Sequence, residues 1–554
     1  MYKKAILYWH TVKYLKISQV IYQIIQRTPF RRTKVPLDIN KEIRPLTNRW
    51  VKPPRRSKGM LSYGEFKFLN EIFRIEKSKD WNSITRKKLW LYNLHYFNDL
   101  ISNNSDEENK SYEKLINLWV THNPPFFGIG WDPYPTSIRI VNLVKWLIEG
   151  NDLSTKSLSS LALQARYLRK NLELHILGNH LFANAKALIY AGLFFSSKES
   201  DEWYSKGILI FENELREQVL EDGGTFELSP MYHSIILEDI LDVINIHKAF
   251  NRRIEINLEE IIIRMITWLR GMCHPDREIS FFNDSCFGVA TKLDDLIIYA
   301  CELFPEKSSI LHEESIPGLI DFSQSGYSRI SNDHAVLLVD RGEIGASYIP
   351  GHAHADTLSF EMSLFQKRLI VNSGISTYEK SEQRHSQRST ISHSTVAVDQ
   401  ISSSEIWDSF RVGRRANVID KKNIITDQSI SISGAHNGYS KLDGKPIHSR
   451  EWVLEENKLV IYDRITGKGR HLVEIIFILH PLINIVSIEK NNLEIDIDGN
   501  SIGIQFNDIG KLDIQDSFYF PEFGLSKKNK KLIYSCNENL PIHSETQIIW
   551  NQNK

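Results

Sequence analysis

Hydrophobic residues recur with two different spacings along the 554 residues of this chain, and the spacing changes near residue 320. From about residue 85 to 315, apolar residues return every three or four positions, as in HLFANAKALIYAGLFF and SIILEDILDVINIHKAF. This period predicts serial amphipathic helices, separated by loops that carry Gly-Asn, Asp-Gly-Gly and Ser-Pro. Such helices with short connections are typical of an all-α array or toroid.

After residue 320 the chain changes to short alternating runs such as HAVLLVDRG, TLSFEMSLF and REWVLEENKLVIYDRITG, separated by Gly, Asn and Asp turns. Serial strands without intervening helices predict an antiparallel β-sandwich. We therefore expect a multidomain α+β protein in three parts. These are an N-terminal amphipathic helix with an extended arm (1–60), a helical domain (61–318) and a β-sandwich (319–554).

The N-terminus is basic, but polar and bulky residues interrupt any apolar core and no small-residue cleavage site follows. It is therefore not a convincing signal peptide, and we expect a cytoplasmic location. Residues 1–30 fit an amphipathic helix, which leaves two alternatives open: packing on the protein itself, or peripheral contact with a membrane. No run approaches the roughly 20 apolar residues that a transmembrane helix needs.

Composition narrows the class of protein further. Apolar residues make up 42% and charged residues 25% of the chain, as in soluble globular proteins. The net charge is zero, so no global field attracts nucleic acid, and we expect no nucleic-acid partner. The 4 cysteines lie far apart without a CxxC pair, which indicates reduced thiols rather than a disulfide framework.

The segment Gly351–Phe360 concentrates chemistry, because it places His352, His354 and Asp356 within five residues ahead of an alternating run. If the segment is extended, these three side chains share the parity of the apolar face. Imidazoles that point into a domain need a metal, an anion or a hydrogen-bonded network as partner. The segment therefore predicts either a site or a structural network.

Two helix starts also carry polar residues. In Gly178-Asn179-His180, the glycine breaks the chain and Asn179 is suited to cap a helix; a capped helix with a surface histidine explains the pattern equally well. Ser229 as N-cap and Pro230 at the first position predict a helix with Tyr232 in its first turn. The helix dipole favours a phenolate by only about 0.3–1 kcal/mol, so a reactive tyrosine would need a nearby cation or histidine.

A fourth segment follows the histidines and is rich in arginine. It runs from Asn372 through Tyr378 and Arg388 to His393, just before a predicted strand. Arginine side chains in such a loop could hold an anionic group, although a solvated loop is the alternative.

Taken together, these segments resemble the heparinase II/III-like family of polysaccharide lyases. The resemblance covers the chain from about residue 85 to the end and rests on five motifs in order: GNHLFANAKAL, DGGTFELSPMYH, FNDSCFG, GHAHADTLSFE and RSTISHSTVAVD. It implies an incomplete (α/α) toroid followed by a C-terminal antiparallel β-sandwich. The nearest relatives are expected among proteins of bacterial capsule and surface-polysaccharide gene clusters.

The resemblance implies β-elimination on a uronic-acid-containing acidic polysaccharide. Asn179 and His180 match family positions that neutralise the substrate carboxylate, and Tyr232 matches the family tyrosine that acts as acid, base or both. His352 is the candidate partner of the tyrosine across the cleft. The residues expected to contact substrate are Arg388, His233 and Tyr378.

The family also implies a metal, usually zinc, held in the sandwich by His, Asp and His. The matching positions are His354, Asn372 and His393. Asn372 departs from the pattern, because a neutral amide is a poor zinc ligand compared with a carboxylate. The metal is therefore either lost or held with help from Asp356.

Two other functions compete with the lyase. One is a catalytically silent polysaccharide-binding protein in capsule or lipopolysaccharide biosynthesis that retains the lyase residues. The other is a metal hydrolase, because a His-x-His pair also opens amidohydrolase sites. That fold places the pair after the first strand of an α/β barrel, whereas here it follows a helical domain, which disfavours the hydrolase. The sequence leaves the oligomeric state open.

Overall fold

A computed structural model describes residues 2–27, 35–314 and 316–551 of the chain. A helical domain comes first, and its last helix ends at Leu311; the first strand of the β-domain begins at Gly318. The helices are α1 Tyr2–Val12, α2 Ile17–Arg27, α3 Lys88–Tyr96, α4 Asp106–His122, α5 Pro133–Ile148, α6 Thr155–Lys170, α7 Gly178–Phe194, α8 Lys198–Gln218, α9 Pro230–Ala249, α10 Leu258–Gly271, α11 Leu293–Leu303, α12 Ser308–Leu311 and, within the β-domain, α13 Glu382–Arg388.

Helices α7 and α9 form the centre of the helical domain and are buried almost all round, as expected for helices surrounded by others. Helix α7 packs against α5, α8 and α9. Helix α9 begins as its sequence predicts: the Ser229 side chain accepts from the backbone N–H of Tyr232, and Pro230 occupies the first turn. This cap fixes Tyr232 at the start of a buried helix.

The strands of the described residues are β1 Met60–Ser62, β2 Glu65–Phe68, β3 Glu71–Arg74, β4 Gly318–Phe322, β5 Tyr327–Ser331, β6 Ala335–Asp340, β7 Phe360–Leu364, β8 Lys367–Ile370, β9 Val396–Val398, β10 Ile406–Trp407, β11 Arg411–Val412, β12 Val418–Ile425, β13 Ile430–His436, β14 Ile447–Leu454, β15 Lys458–Thr466, β16 Arg470–Ile478, β17 Asn484–Glu489, β18 Asn492–Ile497, β19 Asn500–Phe506, β20 Lys511–Tyr519, β21 Lys527–Asn539 and β22 Ile542–Trp550. In these ranges they form five sheets and run antiparallel to their neighbours. The largest sheet has eight strands in the order β12-β13-β14-β15-β22-β19-β18-β17, and sheets of five (β4 to β8) and four (β20-β21-β16-β9) strands accompany it. The two small sheets are β1-β2-β3 and β10-β11.

The β-domain is a sandwich, as the alternation of its sequence predicts. Phe360 of the five-stranded sheet packs against Trp452 of the eight-stranded sheet and Phe477 of the four-stranded sheet, with ring centroids 6.2 and 5.8 Å apart. Alternate residues of β16, Ile476 and Ile478, instead belong to the core of the helical domain. The four-stranded sheet therefore has one face in each core, which joins the two domains.

The His352–Asp356 segment is not the extended strand that its parity suggested. A 3₁₀ turn covers Pro350–His352, and the strand begins only at Phe360. Nor is β7 half exposed: all five of its residues are buried. The reason is that its polar positions face the helical domain, where Glu361 pairs with His274 at 2.8 Å.

The N-terminus forms two helices rather than one, and both pack on the protein. The Trp407 indole N–H donates to the Thr11 hydroxyl at 3.0 Å, and Lys16 pairs with Glu217 of α8. Residues 28–34, which include the end of the predicted helix and the start of the predicted arm, lie outside the described residues. In the described ranges, no helix is long and apolar enough to cross a membrane.

Candidate active site

A cleft of about 3180 Å³ lies between the helical domain and the β-domain. Five residues that the sequence singled out line it, although they come from both domains. Those from the helical domain are Asn179, His180 and Tyr232, and those from the β-domain are His352 and Tyr378. The fold therefore brings together every residue assigned to catalysis, together with one of the three assigned to substrate contact.

Tyr232 is held between two aromatic side chains of the β-domain. Its ring stacks on the imidazole of His352 with centroids 3.9 Å apart and planes 29° from parallel. Its hydroxyl shares a hydrogen bond of 2.9 Å with the hydroxyl of Tyr378. Burial, reinforced by the charge of Asp284, raises the pKa of Tyr232 well above its ordinary value. Tyr232 is therefore a protonated phenol at neutral pH.

Asp284 orients the imidazole of His352. Burial would raise the pKa of this carboxyl, but the charge of Arg384, which pairs with both of its oxygens, holds the pKa well below its usual range. An ionised carboxylate only accepts hydrogen bonds. His352 Nδ1 must therefore carry the proton that it donates to Asp284 at 2.9 Å. In the neutral ring this leaves the lone pair on Nε2, the arrangement of a general base.

Glu227 links the two sides of the cleft. One of its carboxylate oxygens accepts from the backbone N–H of Asn179 at 3.2 Å, and the other lies 3.7 Å from His352 Nε2. Asn179 itself does not cap α7, because the N-cap position is Leu177, whose φ is 68°. Glu227 supplies the acceptor instead. Glycine suits position 178, because its φ of 58° strains other residues and a Cβ atom would lie 2.8 Å from the Glu227 carboxylate.

His180 projects from the first turn of α7 and keeps 27% of its side chain exposed. Its Nδ1 lies 3.0 Å from the carboxylate of Glu173, and its ring packs on that of Tyr134 with centroids 4.4 Å apart. Burial lowers the pKa of His180, but the charge and hydrogen bond of Glu173 outweigh it, so the pKa lies above its usual value. The protonated form of His180 is therefore favoured, and in that form its imidazolium can face an anion in the cleft.

A group of side chains that could hold a metal lies just behind the cleft. His354, Asp356 and His393 are buried, and their ligand atoms lie within 4.8 Å of one another. His354 Nδ1 and His393 Nε2 are 3.2 Å apart, close to the separation of about 3.3 Å expected for two nitrogens on tetrahedral zinc. Burial lowers the pKa of both imidazoles, which keeps them in the neutral form that binds metals.

The surroundings of this group also fit zinc. His354 Nε2–H donates to Asp284 at 2.9 Å, the carboxylate–histidine pairing that orients metal-bound imidazoles. Asn372 is buried, and its Oδ1 accepts from the backbone N–H of Ser394 at 3.3 Å. The residues present therefore fit a His, Asp and His set in which Asp356 supplies the carboxylate that position 372 lacks.

Two predicted substrate contacts, His233 and Arg388, lie outside the cleft. Both are fully buried. The guanidinium of Arg388 donates to the backbone carbonyls of Ala353 and Ser409 at 2.8 to 3.1 Å, and His233 stacks on Trp268 with centroids 4.4 Å apart. Their assignment to substrate stays a prediction from the resemblance; in this structure each holds a loop or helix in place and presents no polar atom to the cleft.

The carboxylates of the site were not found by sequence reasoning. Asp284 lies in the motif FNDSCFG, which carried the resemblance but suggested no role, and Glu227 lies two residues before Ser229 in DGGTFELSPMYH. Arg384 was noted only as part of an arginine-rich loop, and nothing in the sequence around Glu173 marks it. The roles of Asp284 and Arg384 depend on contacts between segments 68 to 100 residues apart, which join His352 to Asp284 and Asp284 to Arg384.

Comparison with known proteins agrees with the two-domain fold described above. The family description "Heparinase II/III N-terminus" matches residues 51–312, and "Heparinase II/III-like, C-terminal" matches residues 316–551. The heparin-sulfate lyase of Bacteroides stercoris is 31% identical over 242 residues, and that of Pedobacter heparinus is 25% identical over 248 residues. Each alignment spans 40% of this chain but only 36% of the relative.

A crystal structure of heparinase III has the same fold, with a TM-score of 0.70 at 16% sequence identity. The superposition covers 88% of this chain and 80% of that chain. It supports the predicted toroid and sandwich, and the two family matches together run through both domains. The chain belongs to the heparinase II/III-like family.

Proposed function

We propose that this protein is a polysaccharide lyase that cleaves a uronic-acid-containing acidic polysaccharide by β-elimination. The observation that carries the proposal is the stacking of Tyr232 on His352 across the cleft at 3.9 Å. It puts a protonated phenol next to an imidazole whose Nε2 is a proton acceptor. The relatives named heparin-sulfate lyases favour the same class of reaction, and a bacterial capsule or surface polysaccharide is the proposed source of substrate.

The reaction needs three functions, which four side chains supply: charge stabilisation, a base and an acid. Asn179 and the imidazolium of His180 face the uronate carboxylate and stabilise the negative charge that develops as C5 loses its proton. His352 Nε2 takes the C5 proton. The C4–O bond then breaks, its electron pair goes to the leaving oxygen, and Tyr232 donates the proton to that oxygen. A C4=C5 double bond remains in the product, and no water is consumed.

The raised pKa of Tyr232 decides which group is the acid. A phenol that holds its proton this firmly is a weak acid toward water, but an alkoxide leaving group is far more basic and takes the proton readily. His352 is suited to the opposite task, because Asp284 accepts a hydrogen bond from Nδ1–H and stabilises the imidazolium that forms after proton abstraction.

We also propose that His354, Asp356 and His393 hold a zinc ion with a structural role. Its charge would fix the segment that carries His352, because His354 lies two residues further along the chain. In the part of the chain that the structure describes, none of these three side chains lines the cleft. The proton transfers are therefore assigned to Tyr232 and His352 alone.

The test is an ultraviolet assay for unsaturated uronate on a panel of polyuronates that includes the surface polysaccharide of the source cell. The wild-type chain is expected to form the absorbing product, and Tyr232→Phe is expected to bind the same polymer without turnover. Tyr462→Phe, an exposed tyrosine of β15, is the matched control and should retain full activity. Binding without product by the wild-type chain would instead favour the silent accessory protein.

A further inference from the structure

Helix α2 turns a polar residue toward the protein and apolar residues toward solvent, which is the reverse of an ordinary surface helix. Among the α2 side chains that the structure describes, Gln19 is the buried one, and its side-chain amide donates to the carbonyls of Ile176 and Tyr348 at 3.4 and 3.3 Å. Ile17 and Ile24 lie on the far side and are 79% and 60% exposed. A soluble helix normally turns its apolar stripe to the core. Here the stripe faces outward.

Helix α1 adds to this outward apolar face. Trp9 is 66% exposed, and Val12, three residues further along the same helix, is also exposed. Tryptophan at such a position is characteristic of surfaces that meet the interface between water and lipid, because its ring is apolar and its N–H is polar. Several apolar side chains exposed together usually mark an interaction site, whereas single exposed apolar residues are common on protein surfaces.

The charge of the same segment indicates the chemistry of the partner. Residues 1–37 contain eight lysines and arginines and no acidic residue, in a chain whose 68 basic and 68 acidic residues balance overall. Lys4 on α1 and Lys13, in the turn that follows α1, are exposed, whereas Lys16 forms an ion pair with Glu217. A helical pair with an apolar face and exposed cations, but no anions, is complementary to a layer of anionic lipid headgroups.

The pair is also held firmly enough to act as a unit with the rest of the protein. The guanidinium of Arg415 in the β-domain lies 3.9 Å from the ring centre of Tyr14, and Trp407 donates to Thr11. On the other side, Lys16 and Gln19 contact the helical domain. The pair therefore spans both domains, and its Thr11 and Val12 line the cleft.

We propose that α1 and α2 form a docking surface for an anionic phospholipid bilayer. Apolar side chains such as Ile17, Ile24 and Trp9 enter the interfacial layer, and the exposed lysines contact lipid phosphates. Because the same helices border the cleft, docking places the mouth of the cleft beside the membrane. This surface stands independently of the lyase chemistry, since none of its residues takes part in the reaction.

The experiment is flotation of the full chain with vesicles of phosphatidylcholine alone and of an equal mixture of phosphatidylcholine and phosphatidylglycerol. The chain is expected to float with the mixed vesicles and to stay behind with the neutral ones. Ile17→Glu/Ile24→Glu should weaken binding to the mixed vesicles by at least about tenfold. Leu482→Glu/Val486→Glu is the matched control, because these apolar residues of the β-domain are also exposed, at 78% and 61%, and it should bind like the wild type.

Brominated lipids give a second measure that does not need a folded double variant. Their bromine atoms should quench part of the tryptophan emission of the wild-type chain on mixed vesicles, and Trp9→Phe should remove that part. Equal flotation of Ile17→Glu/Ile24→Glu and the wild type would overturn the proposal, as would an absence of flotation with mixed vesicles. Self-association that this double variant abolishes, without any vesicle binding, would assign the face to a second copy of the chain and would also overturn it.

Discussion

The ring of Tyr232 stacks on the imidazole of His352 with centroids 3.9 Å apart, although the two residues belong to different domains. The tyrosine is fixed by the start of α9, and the histidine is fixed by its hydrogen bond to Asp284. Neither domain alone contains the pair. The joining of the domains through the four-stranded sheet, whose faces belong to both cores, is therefore part of how the site forms.

The division of labour between these two residues can be tested with the leaving group. If Tyr232 protonates the leaving oxygen, a substrate with a good leaving group at C4, such as fluoride or a nitrophenol, needs no acid. Tyr232→Phe should then lose on the order of 10²-fold or more in kcat on the polymer, but little on the activated substrate. His352→Ala should be slow on both. The measurement is kcat of both variants at saturating concentrations of both substrates. The assignment would be contradicted if the activated substrate restored the rate of His352→Ala but not that of Tyr232→Phe.

A second prediction concerns the stability of the ion pair behind His352. Asp284→Asn keeps the volume of the side chain but removes the charge that both Arg384 and the two histidines use. Breaking one partner of a buried pair costs roughly 3–5 kcal/mol, so the thermal unfolding midpoint should fall clearly. Asp516→Asn, which removes an exposed ion pair with Lys530, should leave the midpoint unchanged. Equal midpoints for the two variants would refute this account.

These residues also show which features of the fold and the site could be predicted from the sequence alone. The start of α9 at Pro230 follows from local rules, because Ser229 and Pro230 act on neighbouring backbone groups. The sequence placed Arg388 among the substrate contacts because it shows a charge but not the backbone carbonyl of Ala353 that accepts from the guanidinium. His352 and Asp284 are 68 residues apart, and only the folded chain reveals that one orients the other.

The sequence also lacks the contacts that decide the roles of the residues at the start of α7 and at the candidate metal site. Asn179 is a good capping residue by type, yet α7 already begins at Gly178, and Glu227 accepts from the backbone N–H of Asn179. Asp356 lies two residues from His354, and the sequence allowed it to supply the charge that Asn372 lacks. The observed cluster of His354, Asp356 and His393 supports that alternative through proximity, which alternation along a strand could not have shown.

A third prediction follows from the pKa of His180. The charge and hydrogen bond of Glu173 keep this pKa above its usual value, so the imidazolium persists to higher pH in the folded protein. Glu173→Gln removes that charge and lowers the pKa. If the cation faces the substrate carboxylate, activity must then be lost at lower pH, and the alkaline limb of the kcat/KM profile should move toward acid. Glu212→Gln, in a surface pair with Arg216, is the control and should leave the profile in place.

The last prediction concerns zinc. The purified chain should contain about one zinc per molecule, measured by elemental analysis, because two neutral imidazoles and a carboxylate converge behind the cleft. Asp356→Asn and His393→Ala should both lower the zinc content and the thermal midpoint, whereas Asn372→Ala should keep the metal. His436→Ala is the matched control, since His436 is equally buried but belongs to a separate network with His448. Its variant should lose stability without losing zinc, so a loss of stability alone cannot imitate a loss of ligand. Zinc at background level in the wild-type chain, or retained in both Asp356→Asn and His393→Ala, would show that the group is a hydrogen-bonded network instead.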